Sequence, residues 1–533
     1  MSDKRNYNIF FHLHTVSGIT ITVGLFIIFF AGAFTLFREE IGEWESSGKH
    51  TSSTQGGLAT KEVAVSPDEK TDYTKLVLAL ENKVPNAYGR EFYGNRKVNS
   101  GKFSFYVSAT SDTTFDKKKN TNYRFEFSNG KLESGSENYS FGELLYWLHF
   151  YYQLDRIGYY ISGLVAFFFF FAIITGVIVH WKKTFSNFFV FRPKQKMKTV
   201  WTDAHTALGF IGLPFQFIYA LTGSMFGLGI VVAISSGAWI YNGDSEKMYA
   251  DIMTAEGESV PGKKERSTVD YNDLVKKTEK KWKNFDVRGF HIKNYGSSTM
   301  TIEFYGEEHI SSRFLGEGKV VYNAKGKEIS AQKPGELSYY DGVWSSVRRL
   351  HYAQFGNIGS LGAYLLKTVY FIMALITCFV IATGVLIWME ARNKKNISEK
   401  RRKYNNGVAL VYLSICLSML PVTAAVFILS KVLTESSAVY REAILNYTFF
   451  IGWLVTSIIF YFLKSTYVIN KLTLLVGGVL ALVIPIVNGV LSENWFWSSY
   501  SNGEYGVFSI DVIWLMIGLV SILVFTKLKK KIA

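Results

Sequence analysis

Cysteine is nearly absent. Cys378 and Cys416 are the only two in 533 residues, and both lie in apolar runs. That argues against a disulfide framework, a cysteine zinc site and an iron–sulfur cluster. No C-x-x-C-H stretch occurs, so any haem is expected to be held non-covalently. The glycine fingerprint G-x-G-x-x-G does not follow any strand pattern, and no flavin or nicotinamide site is expected. There is no H-E-x-x-H and no nucleophile elbow, which leaves hydrolysis without support. A small-residue cleavage site is missing before Phe37-Arg38-Glu39, and the first apolar run is too long for a signal-peptide core. It reads as a retained first span.

Apolar residues, by contrast, make up 48% of the chain, interleaved with long charged stretches. A helix crossing a bilayer needs about 20 apolar residues. Eight such runs occur, at about 15–37, 157–181, 205–233, 359–389, 407–430, 446–463, 468–490 and 507–526. The formal charge of +15 comes largely from basic clusters that flank these runs, which fits membrane topology rather than nucleic acid. Lys4 and Arg5, the loop with Lys182, Lys183, Arg192, Lys194, Lys196 and Lys198, the loop with Arg392 to Lys403, and Lys529-Lys530-Lys531 all fall on one side if there are eight spans. That side is expected to be the cytoplasm, with both termini on it. The loop 491–506 has no Lys or Arg and falls outside.

Two large polar segments, 38–148 and 234–350, are expected on the outer side. Each has a polar helical stretch (Asp72–Asn82, Tyr271–Lys281) followed by alternating strands. The strands are Phe103–Val107 and Tyr123–Phe127 in one segment, and Met300–Tyr305 and Val320–Tyr322 in the other. Asn129-Gly130 and Lys325-Gly326 read as turns. Each segment is expected to form a small α+β domain.

The unit span, outer domain, span occurs twice. At a constant separation of 191 positions, His14, Thr15, Gly18, Phe26, Ile27 and Gly32 match His205, Thr206, Gly209, Phe217, Ile218 and Gly223. Leu148-His149 matches Leu350-His351, and Thr175-Gly176-Val177 matches Thr383-Gly384-Val385. The expected architecture is therefore a polytopic α-helical membrane protein of about eight spans with two inserted α+β domains. It divides into 1–37 (first helix), 38–148 (first domain), 149–233 (helices two and three), 234–350 (second domain), 351–395 (helix four) and 396–533 (four further helices with no assigned role).

Four histidines thus stand at matched levels of four apolar segments. Ionisable residues at membrane depth are costly and usually functional. Two facing imidazoles supply the two axial nitrogens that a b-type haem iron needs. His14 with His205, and His149 with His351, are expected to hold one haem near each membrane face, two in all. Gly18 and Gly209 lie one turn from their histidines on the same helix face. Two readings stand for them: room for a flat macrocycle, or helix packing. His180 is a further candidate, as a ligand in place of His14 or a partner for a haem propionate. Its repeat counterpart is Trp388. Arg348 and Arg349 have two readings as well: propionate pairing, or anchoring at lipid headgroups. His50, His291 and His309 are expected at the domain surfaces.

These residues resemble the PepSY-associated transmembrane helix family, which includes bacterial inner-membrane siderophore reductases with iron-regulated expression. The likeness covers residues 1 to about 395 and rests on the His-plus-Gly first helix, the outer PepSY-like domains, Leu-His and Thr-Gly. It implies two PepSY-like periplasmic domains, two b-type haems in a bacterial inner membrane, and electron delivery to an external ferric siderophore. With no nucleotide fingerprint in the chain, the donor is expected to be membrane quinol or a cytoplasmic reductase. Two other readings stand: a siderophore or peptide permease without redox chemistry, and a PepSY binding or regulatory membrane protein.

Overall fold

The computed structural model describes residues 2–47, 71–96, 103–116, 120–128, 131–134, 139–180, 191–244, 247–248, 260–265, 269–308, 314–355, 359–394, 396–433 and 440–528. In chain order the first half holds α1 (Ser2–Thr35), α2 (Arg38–Ser46), α3 (Tyr73–Lys83), β1 (Phe92–Arg96), β2 (Phe103–Val107), β3 (Tyr123–Ser128), β4 (Lys131–Ser134), α4 (Phe141–His149) and α5 (Asp155–His180). The second repeats the order with α6 (Met197–Ile240), α7 (Tyr271–Lys281), β5 (Phe285–Lys293), β6 (Thr301–Glu308), β7 (Glu317–Asn323), β8 (Glu328–Gln332), α8 (Tyr339–His351) and α9 (Gly359–Arg392). There follow α10 (Glu399–Val432), α11 (Arg441–Phe462), α12 (Thr466–Ser492), α13 (Phe496–Ser501) and α14 (Tyr505–Lys527).

Eight of these helices are long and apolar enough to cross a membrane: α1, α5, α6, α9, α10, α11, α12 and α14. Lipid offers no partner to a backbone amide, so each span bonds within itself. All eight expected spans are present, but the helices overrun them. α6 has 44 residues, whereas about 20 cross the hydrocarbon at 1.5 Å per residue. His14 and His205 consequently lie inside their helices.

α1, α5, α6 and α9 close into a four-helix ring, each packed on two of the others. α10, α11, α12 and α14 form a second bundle against α1, α2 and α9. Phe34 of α1 joins the two, its ring 5.3 Å from Phe371 and 5.2 Å from Trp514.

Beyond one end of the ring lies a β-sheet. The sequence leads one to expect two separate small domains; instead their strands form one antiparallel eight-stranded sheet in the order β4-β3-β2-β1-β5-β6-β7-β8. The join is β1 on β5, with Tyr93 opposite His291 and Gly94 opposite Phe290. An open edge strand exposes a row of unpaired amides and carbonyls, and pairing the two edges removes that liability from both halves. α3 and α7 cover one face and share a single core with it, including Leu76, Leu80, Leu274, Phe92, Phe290, Ile302 and Phe304. Their N-termini interlock: Asn272 Nδ2 donates to Asp72 Oδ1 (2.7 Å), and the Tyr73 amide donates to Asn272 Oδ1 (2.8 Å). The expected helices and strands correspond to α3, α7, β2, β3, β6 and β7, with the starts at Asp72 and Met300 one residue early, and Gly326 takes the positive φ its turn requires (73°). Asn129-Gly130 lies outside the described residues.

From the sheet the chain returns to the ring through two short helices, α4 and α8. Ser140 and Ser338 cap them, accepting from the amides of Glu143 and Asp341. Both helices end on a histidine.

Candidate functional site

The four matched histidines converge as two pairs. His14 of α1 and His205 of α6 face each other with ring centroids 6.3 Å apart. His149 of α4 and His351 of α8 do so at 5.9 Å, at the end of the ring that carries the sheet. A metal–imidazole bond is about 2.0 Å long, so two rings sharing one metal have centroids about 6 Å apart. Ile28, whose carbonyl meets His149, is 14 residues beyond His14 on α1. That separates the two levels by about 21 Å along the helix.

Each ring is fixed through Nδ1. His14 Nδ1 is 2.8 Å from the Ala172 carbonyl, and His149 Nδ1 is 2.8 Å from the Ile28 carbonyl. His205 Nδ1 is 3.0 Å from the Val380 carbonyl and 3.2 Å from Thr383 Oγ1. His351 Nδ1 is 2.8 Å from Thr222 Oγ1. A carbonyl only accepts. The hydroxyls of Thr222 and Thr383 donate to Ile218 and Val380 carbonyls, so they too accept from the rings. Nδ1 of each imidazole is therefore placed to donate, an arrangement that leaves Nε2 as the nitrogen available to a metal. That is the geometry of a metal-ligating histidine, whose other nitrogen donates to a carbonyl or similar acceptor. His149 and His351 lie in helices that precede their spans. Burial lowers both pKa values, that of His351 to about 3 with His149 adding to the effect, so both rings are neutral.

Glycines make room for the rings. A Cβ at Gly32 would fall 2.6 Å from His149 Nδ1, and one at Gly176 would fall 3.0 Å from His14 Cε1. At Gly384 the distance to His205 Cε1 is 3.5 Å. Gly18 differs: an added Cβ meets nothing within 4 Å, and at Gly209 it meets only Val380 Cγ1 at 4.0 Å. Space thus lies beside the His14–His205 pair on the face where a flat group would approach. At the other pair, Tyr219, Phe226 and Tyr352 surround His351 with centroids at 5.9, 5.1 and 5.3 Å. The Tyr219 hydroxyl is buried without a hydrogen-bond partner, as is Gln216 Nε2 one turn before it. Paired rings at metal-sharing distance, open space beside Gly18 and orphaned donors nearby together fit a bis-histidine haem.

Other candidates stand elsewhere. Arg349, 5% exposed, pairs with Glu307 at 2.7 Å and Glu317 at 3.2 Å. Arg348 pairs with Glu317 at 2.7 Å. In this structure both guanidinium groups tie α8 to the sheet. α5 ends at His180, whose side chain lies outside the described residues, as do His50 and His309 entirely. His291, expected at a surface, sits in the seam of the sheet, 3.0 Å from Glu91 and stacked on Tyr93 at 3.8 Å. It is covered because β1 pairs with β5.

Sequence reasoning missed the residues that hold the rings. Thr383-Gly384 and Thr175-Gly176 were visible as a repeated motif, and Gly32 as a matched position. Thr222 replaces Ala31 of the first repeat and so carried no signal.

The profile of the PepSY-associated TM region matches residues 11–391. A Pseudomonas aeruginosa protein named uncharacterized protein PA4219 is 20% identical over 220 residues, covering 41% of this chain. The match spans 56% of that relative's length.

Proposed function

The chain belongs to the PepSY-associated TM family, and from that membership and its two histidine pairs we propose that it is a two-haem transmembrane reductase of ferric chelates. The observation that carries the reading is the pairing itself: four imidazoles, two by two, at 6.3 and 5.9 Å, each with Nδ1 engaged. His14 and His205 would hold one b-type haem, His149 and His351 the other. When bound, haem supplies a one-electron carrier whose potential answers to its axial ligands and their hydrogen bonds. The chain's own residues hold the tautomer, exclude water with the aromatic shell around His351, and set the two levels near opposite faces of the bilayer.

The basic loops support an orientation with the sheet in the periplasm, the N- and C-termini in the cytoplasm and the spans in a bacterial inner membrane. On that orientation, electrons enter at the His14 level from quinol or a cytoplasmic reductase. They leave near His149 and His351 to a ferric siderophore too bulky to pass between packed helices. Iron is then released, because Fe(II) binds hard oxygen chelators far less tightly than Fe(III).

An optical spectrum of the purified protein tests this. The expected result is a dithionite-reduced b-type α-band with two haems per chain. His149→Ala and His351→Ala should lose the same half of the signal, and His14→Ala and His205→Ala the other half. A colourless protein of full helicity overturns the reading and favours a permease without redox chemistry.

A further inference from the structure

The helices after residue 396 carry no histidine and lie beyond the matched family region. They are nevertheless fastened to the site through charged residues buried near the sheet end. Arg441, at the start of α11, is 7% exposed and sits among three partners. Its Nη2 donates to Glu45 Oε2 (2.7 Å) and to the Ser430 carbonyl of α10 (2.8 Å). Its Nε donates to the Tyr139 carbonyl (2.8 Å), just before α4. Glu45, in the last turn of α2, accepts from the Phe141 amide on its other oxygen (2.9 Å). That amide is the first of α4. A carboxylate is favoured at a helix N-terminus, where unpaired amides point outward. Eight residues later α4 ends in His149.

The apolar face of α4 is held by the same module. The Phe141 ring lies 5.6 Å from Phe427 of α10 and 5.8 Å from Phe449 of α11. α2 is gripped as well. Lys431 Nζ donates to the Ser47 carbonyl (2.9 Å) and Ser47 Oγ (2.6 Å), just past α2. Trp44 Nε1 donates to Asp511 Oδ1 of α14, and Asn488 of α12 donates to the other carboxylate oxygen, both at 2.8 Å. All four spans of the module therefore converge on α2, and α2 with Arg441 converges on the first turn of α4. The pseudo-symmetric helix α8 is tied differently: Arg348 and Arg349 fasten it to Glu317 and Glu307 of the sheet. The duplication breaks at this point.

We propose that the C-terminal four-span module positions His149, with Arg441 and Glu45 as positioning residues that fix α4 and hence one axial imidazole of the sheet-end haem. This rests on the two-haem reading above. These charged ties then set the ligand geometry of one haem, and none of them reaches the His14–His205 pair.

The test compares wild type, Arg441→Lys and the double variant Glu45→Gln/Arg441→Gln, which removes both charges without leaving either buried alone. Low-temperature EPR of the oxidised protein gives one low-spin signal per haem, assigned with the histidine variants. Redox titration gives the two midpoints. The expected result is a shifted signal and midpoint for the sheet-end haem only, with the other haem unchanged. Arg441→Lys keeps the charge but cannot reach Glu45, Ser430 and Tyr139 together; it should show a smaller shift of the same signal. That conservative variant decides the matter if the double variant does not fold. Identical signals in all folded variants, or equal shifts of both haems, overturn the inference alone. A wild-type protein with no haem signal overturns the parent reading and this inference with it.

Discussion

At His149 the ring is bounded on one side by a missing side chain. Gly32 stands where any Cβ would press on Nδ1 at 2.6 Å, and that nitrogen is already bonded to Ile28 one turn earlier on α1. Gly32→Ala therefore has to push the imidazole off its carbonyl or bend α1. Overpacking of this kind costs about 1–3 kcal/mol. The expected outcome is partial loss of the sheet-end haem, with the His14–His205 haem retained, read as haem content and spectrum after purification. Gly18→Ala is the counterpart: its methyl group enters the open space beside the other pair, so it should affect only the His14–His205 haem. Loss of the same haem in both variants would show that helix packing, not room for ring or haem, governs these glycines. The histidines themselves were legible because they recur in matched local motifs, His-Thr and Leu-His. Their hydrogen-bond partners were less so, because a carbonyl such as Ile28 or Ala172 leaves no mark on the sequence at all. What Thr222 does for His351, a backbone carbonyl does for His149.

Among the elements, β1 and β5 were the hardest to foresee, and they make the seam. β1 reads Phe-Tyr-Gly-Asn-Arg, where Gly94 weakens the strand signal. β5 loses its alternation at a bulge between Val287 and Gly289. β2 and β6 alternate cleanly, and these strands with β3 and β7 were legible. Glu91, just before β1, receives a hydrogen bond from Tyr93 (2.7 Å) and pairs with His291 of β5 across the seam (3.0 Å). The bond from His291 is the main reason its carboxyl is held down to about 2, with that from Tyr93 adding to it. A depressed carboxylate stabilises the fold above its unfolded pKa, and that contribution is lost as pH falls through the folded value. The window runs from about 4.5 down to about 2. Glu91→Gln should therefore lower the thermal midpoint modestly at pH 7, since the group is partly exposed. It should also flatten the acid dependence across that window, measured by scanning fluorimetry in detergent. An unchanged acid slope would mean the seam draws nothing from this pair.

For the molecule as a whole, the arrangement of charge decides which way it faces. The sheet and its connections leave one end of the helical ring. The loops that hold Arg192 to Lys198 and Arg392 to Lys403 leave the other. Basic residues in short loops are retained on the cytoplasmic side, and the loop 491–506, at the sheet end, has none. The sheet should therefore face outward, with the His149–His351 pair beneath it, at the end where the proposed external oxidant would meet the protein. Single cysteines at Ser134, in β4, and Ser186, between α5 and α6, report the two ends. The native Cys378 and Cys416 are buried and add little background. An impermeant maleimide applied to spheroplasts should label Ser134→Cys at once, and Ser186→Cys only after the membrane is opened. The reverse pattern would put the His14–His205 pair outside. Electrons would then have to flow toward the sheet from the exterior, and the proposed reduction of an external chelate would lose its exit.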